Sequence, residues 1–347
     1  MVRSDEKTDG VELANQWYDD WIKDLPDLTG KVAIITGSNS GTGFWAANAM
    51  AFKGCTVILA CRSVEKGKHA KDEILGRYPE AKLDVMRLDN LDLDSVREFV
   101  KEFKSKYTEL NYLVNNAGIM AQPYSLSKDG FEVQFQTNHL GHFLLTQQLW
   151  DMLVNTPGES RVVQHSSAVH KLGSPIFDKT KMEAPTYSVG FLWFNVFLWH
   201  VIMPFVFGMK PIDNWMRYGV SKLCNVLFMR DLKKKIEHKK LSDKVLSTAC
   251  HPGYASTQLQ LKAADSMQNW KSMNQGYAQS AADGSMPLLM ATCGHGVKNG
   301  DYIGPSNAGE MKGLPKVVSV GGNGKDEAQG NELWEYSEEC LDSIFEI

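Results

Sequence analysis

Tyr218 and Lys222 stand four positions apart in Tyr218-Gly219-Val220-Ser221-Lys222, at the head of an apolar run through Leu223, Val226, Leu227 and Met229. On a helix that spacing puts both side chains on one face. A free phenol titrates near pH ~10, and a cation beside it favours the phenolate, which brings the group within reach of acid/base chemistry near neutrality. The same pair also occurs on ordinary exposed helix faces, so its chemistry depends on what accompanies it. A second candidate is the glycine-rich turn Thr36-Gly37-Ser38-Asn39-Ser40-Gly41-Thr42-Gly43, between an apolar run at 32–35 and a helical stretch at 44–52. Glycines let the backbone approach a pyrophosphate, and free N–H groups at a helix start stabilise its charge. Three glycines alone would suit a loop without a ligand; the strand before and the helix after favour a dinucleotide. The third is Leu59-Ala60-Cys61-Arg62-Ser63, which offers no carboxylate for a ribose hydroxyl. Arg62 with Ser38 and Asn39 would surround a 2′-phosphate with charge-assisted hydrogen bonds. A lone arginine at a strand end is otherwise solvated, but the missing acid favours NADP(H) over NAD(H).

These residues need a scaffold that holds strand ends together. Apolar runs at 32–35, 56–59, 83–88, 112–114, 162–165 and 245–249 alternate with longer amphipathic segments. Continuous β-branched runs suit strands buried on both faces, and their alternation with helices predicts a parallel sheet covered on both sides, an α/β fold. Without internal repeats or low-complexity linkers, the chain reads as one domain, 29–347, behind an extension at 1–28. In that extension Leu13, Trp17, Trp21 and Leu25 recur every fourth position, a helical spacing that predicts a packing arm in preference to a membrane-touching helix. Gly and Pro are frequent in the tail from Asn299, and a closing helix is expected at 331–345.

The turn pattern TGxxxGxG, the segment Asn115-Asn116-Ala117-Gly118, the strand ending in Ser166-Ser167, and the Tyr218/Lys222 pair together resemble the short-chain dehydrogenase/reductase family. The resemblance implies a single-domain Rossmann fold with a doubly wound, mostly parallel sheet. It further implies that Asn116, Ala117 and Gly118 line the adenine-ribose side and that Asp89, with Asn90 after it, contacts adenine. Pro252, Gly253 and Thr257 of His251-Pro252-Gly253-Tyr254-Ala255-Ser256-Thr257 would clamp the nicotinamide end. The same match makes Ser167 the hydroxyl that donates to the substrate oxygen, with Ser166 its structural neighbour. Asn138 would hold a water behind the lysine in a proton relay. Thr42 replaces a bulky aliphatic residue of the family, which bears on local packing only, because the backbone amide supplies the contact. His139, His142 and His251 have no catalytic role in the family and read as packing residues.

Ala60-Cys61-Arg62, Asn116-Ala117-Gly118-Ile119-Met120, Asn138-His139-Leu140-Gly141-His142-Phe143 and Ser221-Lys222-Leu223 are similar to retinol-dehydrogenase-like members. That similarity implies a hydrophobic ketone or aldehyde and its alcohol as substrates. Protochlorophyllide reductases, which reduce a C=C bond, also carry an insertion in the same interval and a segment comparable to Ser221-Lys222-Leu223-Cys224-Asn225. Tyr254, however, stands where those enzymes are expected to have cysteine. A non-catalytic NADP-binding scaffold or sensor would usually have lost the tyrosine or the lysine, and both are present.

Composition excludes other classes. A net charge of -4 and no basic block longer than Lys233-Lys234-Lys235 argue against nucleic acid as a partner. Six scattered cysteines without a CxxC pair predict reduced thiols and no metal site. The charged start, residues 1–10, lacks a secretory apolar stretch, which predicts a cytoplasmic protein or one peripheral on a cytosol-facing membrane. Ser167 and Tyr218 lie 51 positions apart, far more than in the resembling family, so an insertion spans about 172–213. Within it residues 189–209 are rich in Phe, Trp, Val and Leu. A membrane span there is ruled out, since it would part Ser167 from Tyr218. A hydrophobic lid, a homo-oligomer surface and a peripheral membrane contact remain.

Overall fold

The computed structural model describes residues 13–173, 212–257, 259 and 278–347. Among them the elements run α1 (Tyr18–Trp21), β1 (Val32–Thr36), α2 (Gly41–Phe52), β2 (Thr56–Cys61), α3 (Val64–Arg77), β3 (Leu83–Arg87), α4 (Leu93–Lys106), β4 (Tyr112–Asn115) and α5 (Val133–Phe135). A π-helical turn, Gln136–Leu140, leads into α6 (Gly141–Asn155) and β5 (Ser160–His165). After the insertion come α7 (Ile212–His238), β6 (Val245–Cys250), α8 (Ala281–Cys293), β7 (Tyr302–Asn307), β8 (Lys312–Val317) and α9 (Glu327–Leu341). The strands form one sheet in the order β3-β2-β1-β4-β5-β6-β7-β8, parallel except for β8. The order reverses between β1 and β4, and ligands of open α/β sheets bind outside the carboxyl ends of the strands at such a point.

Alternation along each strand feeds two cores. Ile34, Leu113 and Val162 face one side, with α4, α6 and α7. Ala33, Ile35, Val114 and Val163 face the other, with α2 and α8. Both faces are covered, which is why the strands read as unbroken apolar runs.

Three expectations are corrected. The arm of the N-terminal extension packs most deeply through Tyr18, Ile22, Leu25 and Leu28, while Trp17 and Trp21 of the expected stripe are only partly buried against the same core. Its helix lasts one turn before a 3-10 turn at Ile22–Asp24 changes the period. Asp283 of α8 holds the arm, its carboxylate accepting the N–H groups of Gln16, Trp17 and Tyr18 at 2.8–3.0 Å, while the Tyr18 hydroxyl donates to the Trp45 carbonyl at 2.6 Å. The Gly- and Pro-rich tail contains two strands, with Pro305 and Pro315 opposite each other in the β7–β8 pair; proline is tolerated there because β8 ends the sheet. The last helix starts four residues earlier than expected, because Asp326 caps it by accepting from Ala328 and Gln329 N–H. None of the six cysteines forms a disulfide. Most of the insertion, including 189–209, lies outside the described residues, and no helix among those described is long and apolar enough to cross a membrane.

Candidate active site

The glycine-rich turn is fitted to its neighbours by main chain. Gly37 and Gly41 have left-handed φ of 67° and 56°, which glycine adopts without a Cβ penalty. A Cβ on Gly43 would overlap Asn116 Nδ2 and lie 2.8 Å from the Gly37 carbonyl oxygen. Thr36 Oγ1 accepts the N–H groups of Asn116 and Ala117 at 2.9 and 2.8 Å, and Asn116 Nδ2 donates to the Thr36 carbonyl at 2.7 Å. The Asn116–Gly118 segment is thereby tied to β1. Thr42 donates from Oγ1 to Asn116 Oδ1 at 3.2 Å, a contact within the local packing expected of it. Ser40, which caps α2, makes no side-chain bond to the helix amides, so the first N–H groups of α2 face the strand ends without a side-chain acceptor from the cap.

The residues at the end of β2 divide. Arg62 is exposed and, among the described residues, has no acid partner. Ser63 caps α3, its Oγ accepting the Lys66 N–H at 3.3 Å. Ser38 is buried with its hydroxyl 3.7 Å from Cys61 Sγ, so its side chain turns inward and Arg62 is the exposed cation of the expected trio. Asp89 closes its own turn by accepting the Leu91 N–H at 3.1 Å. Asn90 is buried and donates to the Thr137 carbonyl at 3.2 Å, placing it under the π-helical turn. On the far side, Thr257 would lie 3.4 Å from a Cβ built on Gly41, so the 252–257 segment closes over the glycine-rich turn. A glycine-cradled turn, an open helix start and a free arginine suit a dinucleotide phosphate group.

Two of the expected catalytic residues, Asn138 and Lys222, meet beside Gly118. A Cβ there would lie 3.1 Å from Asn138 Oδ1 and 3.3 Å from Lys222 Nζ. Asn138 sits in the π-helical turn, a distortion frequent at functional sites. Its Nδ2 donates to the Ile119 carbonyl at 3.0 Å and to Ser221 Oγ at 2.8 Å, and its Oδ1 accepts the Ile119 N–H at 2.8 Å. Ser221 in turn donates to the Tyr218 carbonyl at 2.8 Å. Lys222 Nζ donates to the His165 carbonyl at 2.8 Å. The two adjacent serines separate cleanly: Ser166 is buried and donates to the Lys222 carbonyl at 2.7 Å, whereas Ser167 is half-buried, its Oγ accepting the Val169 N–H at 3.4 Å and lying on the Tyr218 side, where it acts on the phenol.

Electrostatics differ from the sequence expectation of a cation that lowers the tyrosine. Both groups are buried, and burial dominates: it pushes the Tyr218 phenol up to about 12, opposed by the neighbouring Ser167 hydroxyl. It also pushes Lys222 down to about 8. Lys222 Nζ stands 5.9 Å from the Tyr218 ring centroid. At neutral pH the phenol is therefore protonated and the lysine charged. His139 and His142 are buried and pushed down to about 3, neutral packing residues.

Motif reading missed the supporting contacts. His165 supplies its carbonyl to Lys222 and to Asn225 Nδ2, and its ring Nδ1 contacts Asn116 Oδ1 at 2.8 Å. Thr36 opens the glycine-rich motif and Ser221 lies inside the Tyr–Lys spacing, so both were visible as letters without a role. Met120 and Ala121 pack with Tyr218, bordered by Val169, Trp215 and Leu259, giving the tyrosine an apolar surround.

A reversal point between β1 and β4, a glycine-rich turn and a buried Tyr–Lys–Asn group beside the half-buried Ser167 define a Rossmann-type fold with a candidate dinucleotide and acid/base site. Residues 31–178 match the short chain dehydrogenase family. The chain is 33% identical over 331 residues to a short-chain dehydrogenase/reductase of Aspergillus calidoustus, covering 91% of this chain and 95% of that one. It is 40% identical over 232 residues to the human WW domain-containing oxidoreductase, covering 65% of this chain and 49% of the relative, so the chain spans about half that protein's length. Mouse retinol dehydrogenase 11 is 37% identical over 232 residues, 67% of this chain and 64% of that one. A crystal structure of an uncharacterised Mycobacterium paratuberculosis protein superposes with a TM-score of 0.70 at 30% identity, covering 94% of this chain and 98% of that one. The chain belongs to the short-chain dehydrogenase/reductase family and stands near its retinol-dehydrogenase-like members.

Proposed function

We propose that this chain is an NADP(H)-dependent oxidoreductase that interconverts a hydrophobic ketone or aldehyde and its alcohol. The observation that carries the reading is the meeting of Lys222 and Asn138 beside Gly118, on the helix that carries the buried Tyr218 and next to the end of the strand that leads into Ser167. When bound, the dinucleotide supplies or accepts the hydride at the carbonyl carbon. The turn at 37–43 with Asn116, Ala117 and Gly118, Arg62 with Ser63, Asp89 with Asn90, and Pro252, Gly253 and Thr257 would hold it. Ser167 orients the substrate oxygen and Tyr218 exchanges a proton with it; a phenol that keeps its proton at neutral pH suits the reductive direction. Lys222 places positive charge behind the phenol, and Asn138 holds the Ile119 and Ser221 positions around it. The apolar border of Met120, Val169, Trp215 and Leu259 supports a hydrophobic substrate, in keeping with the name of the retinol dehydrogenase relative.

The test is a titration of NADPH and NADH against wild type and Arg62→Ala, followed by NADPH oxidation with apolar aldehydes and ketones. Arg62→Ala is expected to weaken NADPH roughly tenfold, the scale of one lost charge-assisted contact, and to leave NADH nearly unchanged. Tighter binding of NADH than NADPH by wild type would overturn the cofactor assignment. Failure to oxidise NADPH with any apolar carbonyl would overturn the substrate class.

A further inference from the structure

The turn between β7 and β8 reaches back to the site at the cost of backbone strain. Ala308 and Glu310 hold φ of 51° and 68° on either side of Gly309, a region unfavourable for residues with a Cβ. The return is a set of contacts with the segment that closes over the glycine-rich turn. The Tyr254 N–H donates to the Met311 carbonyl at 2.7 Å, and Gly253, at φ 63°, fits beneath that carbonyl where any Cβ would overlap it. Gln279 bridges the two pieces: its Nε2 donates to the Pro252 carbonyl at 2.7 Å and its Oε1 accepts the Gly313 N–H of β8 at 3.1 Å. The Glu310 carboxylate stands 3.3 Å from His251 Nε2 and 3.2 Å from Lys171 Nζ. His251 is buried, and its Nδ1 accepts the Gly253 N–H at 3.3 Å, so the proton of the neutral ring sits on Nε2, which lies beside the Glu310 carboxylate without the alignment of a hydrogen bond. Burial pushes the His251 ring down to about 4, which keeps it neutral near pH 7. Lys171 belongs to the 3-10 turn Ala168–Leu172 that directly follows Ser167.

We propose that Glu310 is a positioning residue: presented by the strained β7–β8 turn, it pins His251 and with it residues 252–257 against the glycine-rich turn, and through Lys171 ties that segment to the one carrying Ser167. The proposal rests on the reading of 252–257 as the cofactor clamp. Glu310→Ala removes both the group packed against the buried His251 ring and the acceptor for Lys171, whereas Glu310→Gln keeps the shape and an oxygen that accepts from Lys171, and Ala308→Gly relaxes the turn while keeping the carboxylate.

Two readouts on the full chain test it: amide hydrogen exchange at 253–257 without added cofactor, and NADPH affinity by fluorescence titration. Glu310→Ala should speed exchange at 253–257 by roughly tenfold and raise the Kd and KM for NADPH by about the same factor, equivalent to about 1.4 kcal/mol. Its kcat at saturating NADPH should fall less than about threefold, and its melting temperature should stay close to wild type. Glu310→Gln should keep both readouts within about threefold of wild type, and Ala308→Gly should move neither. Unchanged exchange at 253–257 in Glu310→Ala overturns the proposal. So does an Ala308→Gly variant that reproduces the alanine effect, which would make the turn and not the carboxylate responsible. Faster exchange in Glu310→Ala combined with a wild type that does not bind NADPH upholds the brace and overturns the cofactor reading instead.

Discussion

At the ends of β1 and β2 the site is made of main chain, whereas at the ends of β4 and β5 and on α7 it is made of buried side chains. The first region offers glycine backbone, an open helix start and one exposed arginine. The second places Asn138, Tyr218 and Lys222 at 0%, 5% and 3% exposure and links them by hydrogen bonds to Ile119, Ser221 and the His165 carbonyl. Main-chain binding depends on shape, so it tolerates a change of side chain that leaves the backbone path open and fails when a Cβ blocks it. A buried polar group depends on each partner, because every donor left without an acceptor carries its full desolvation cost. The two regions should therefore respond to substitution in opposite ways.

The largest effect is expected in the side-chain region. Tyr218→Phe removes one hydroxyl and should lower kcat at least about 100-fold while NADPH binding changes less than about threefold. A variant retaining more than about a tenth of wild-type kcat would show that Tyr218 is not the acid/base. Next is the shape test in the main-chain region. Gly43→Ala drives a methyl into Asn116 Nδ2, which cannot swing aside without losing its 2.7 Å bond to the Thr36 carbonyl. NADPH should bind roughly tenfold or more weakly, with stability lower by about 1–3 kcal/mol. A thermal melt and an NADPH titration both matching wild type would show that the turn yields.

The two regions should also part with pH. Lys222 is pushed down to about 8 by burial, so raising pH through that value removes the charge behind Tyr218. The reductive kcat should hold up to about pH 8 and then fall by about tenfold per unit, while NADPH affinity stays level between about 7 and 9. A kcat profile level through about pH 9.5 would separate the lysine charge from catalysis. The smallest effect belongs to Thr42→Val, which loses the bond to Asn116 Oδ1 but keeps the backbone amide. NADPH affinity should stay within about twofold, with about 1 kcal/mol of stability lost. A larger affinity loss would mean that the side chain, not the backbone, makes the contact.

Much of the scaffold was legible because each buried strand leaves a local mark. The runs at 32–35, 56–59 and 112–114 each lie within a strand, since a sheet covered on both faces needs apolar residues on both. The strands β7 and β8 left no such mark: Gly304, Pro305, Gly313 and Pro315 read as turn residues. They are tolerated only because β8 ends the sheet and, in the case of Gly304, because the buried His251 ring occupies the space where a Cβ would project. The arm was misread by one position, Trp17 and Trp21 being large enough to suggest a buried stripe, while Asp283, 265 residues away from Tyr18, decides which side chains turn inward.

By itself the sequence determined the alternation of strands and helices and the glycine-rich turn, because these depend on spacing along one element or on residue type. Only the tertiary structure decided which serine faces the tyrosine, since Ser166 and Ser167 differ in nothing but the side of the strand end on which they emerge. It alone decided that burial outweighs the lysine in setting the Tyr218 phenol, because desolvation comes from every element packed around the group. It also decided that Glu310, on a turn 59 residues after His251, touches the segment over the glycine-rich turn, a contact made by sheet order and invisible to any local pattern.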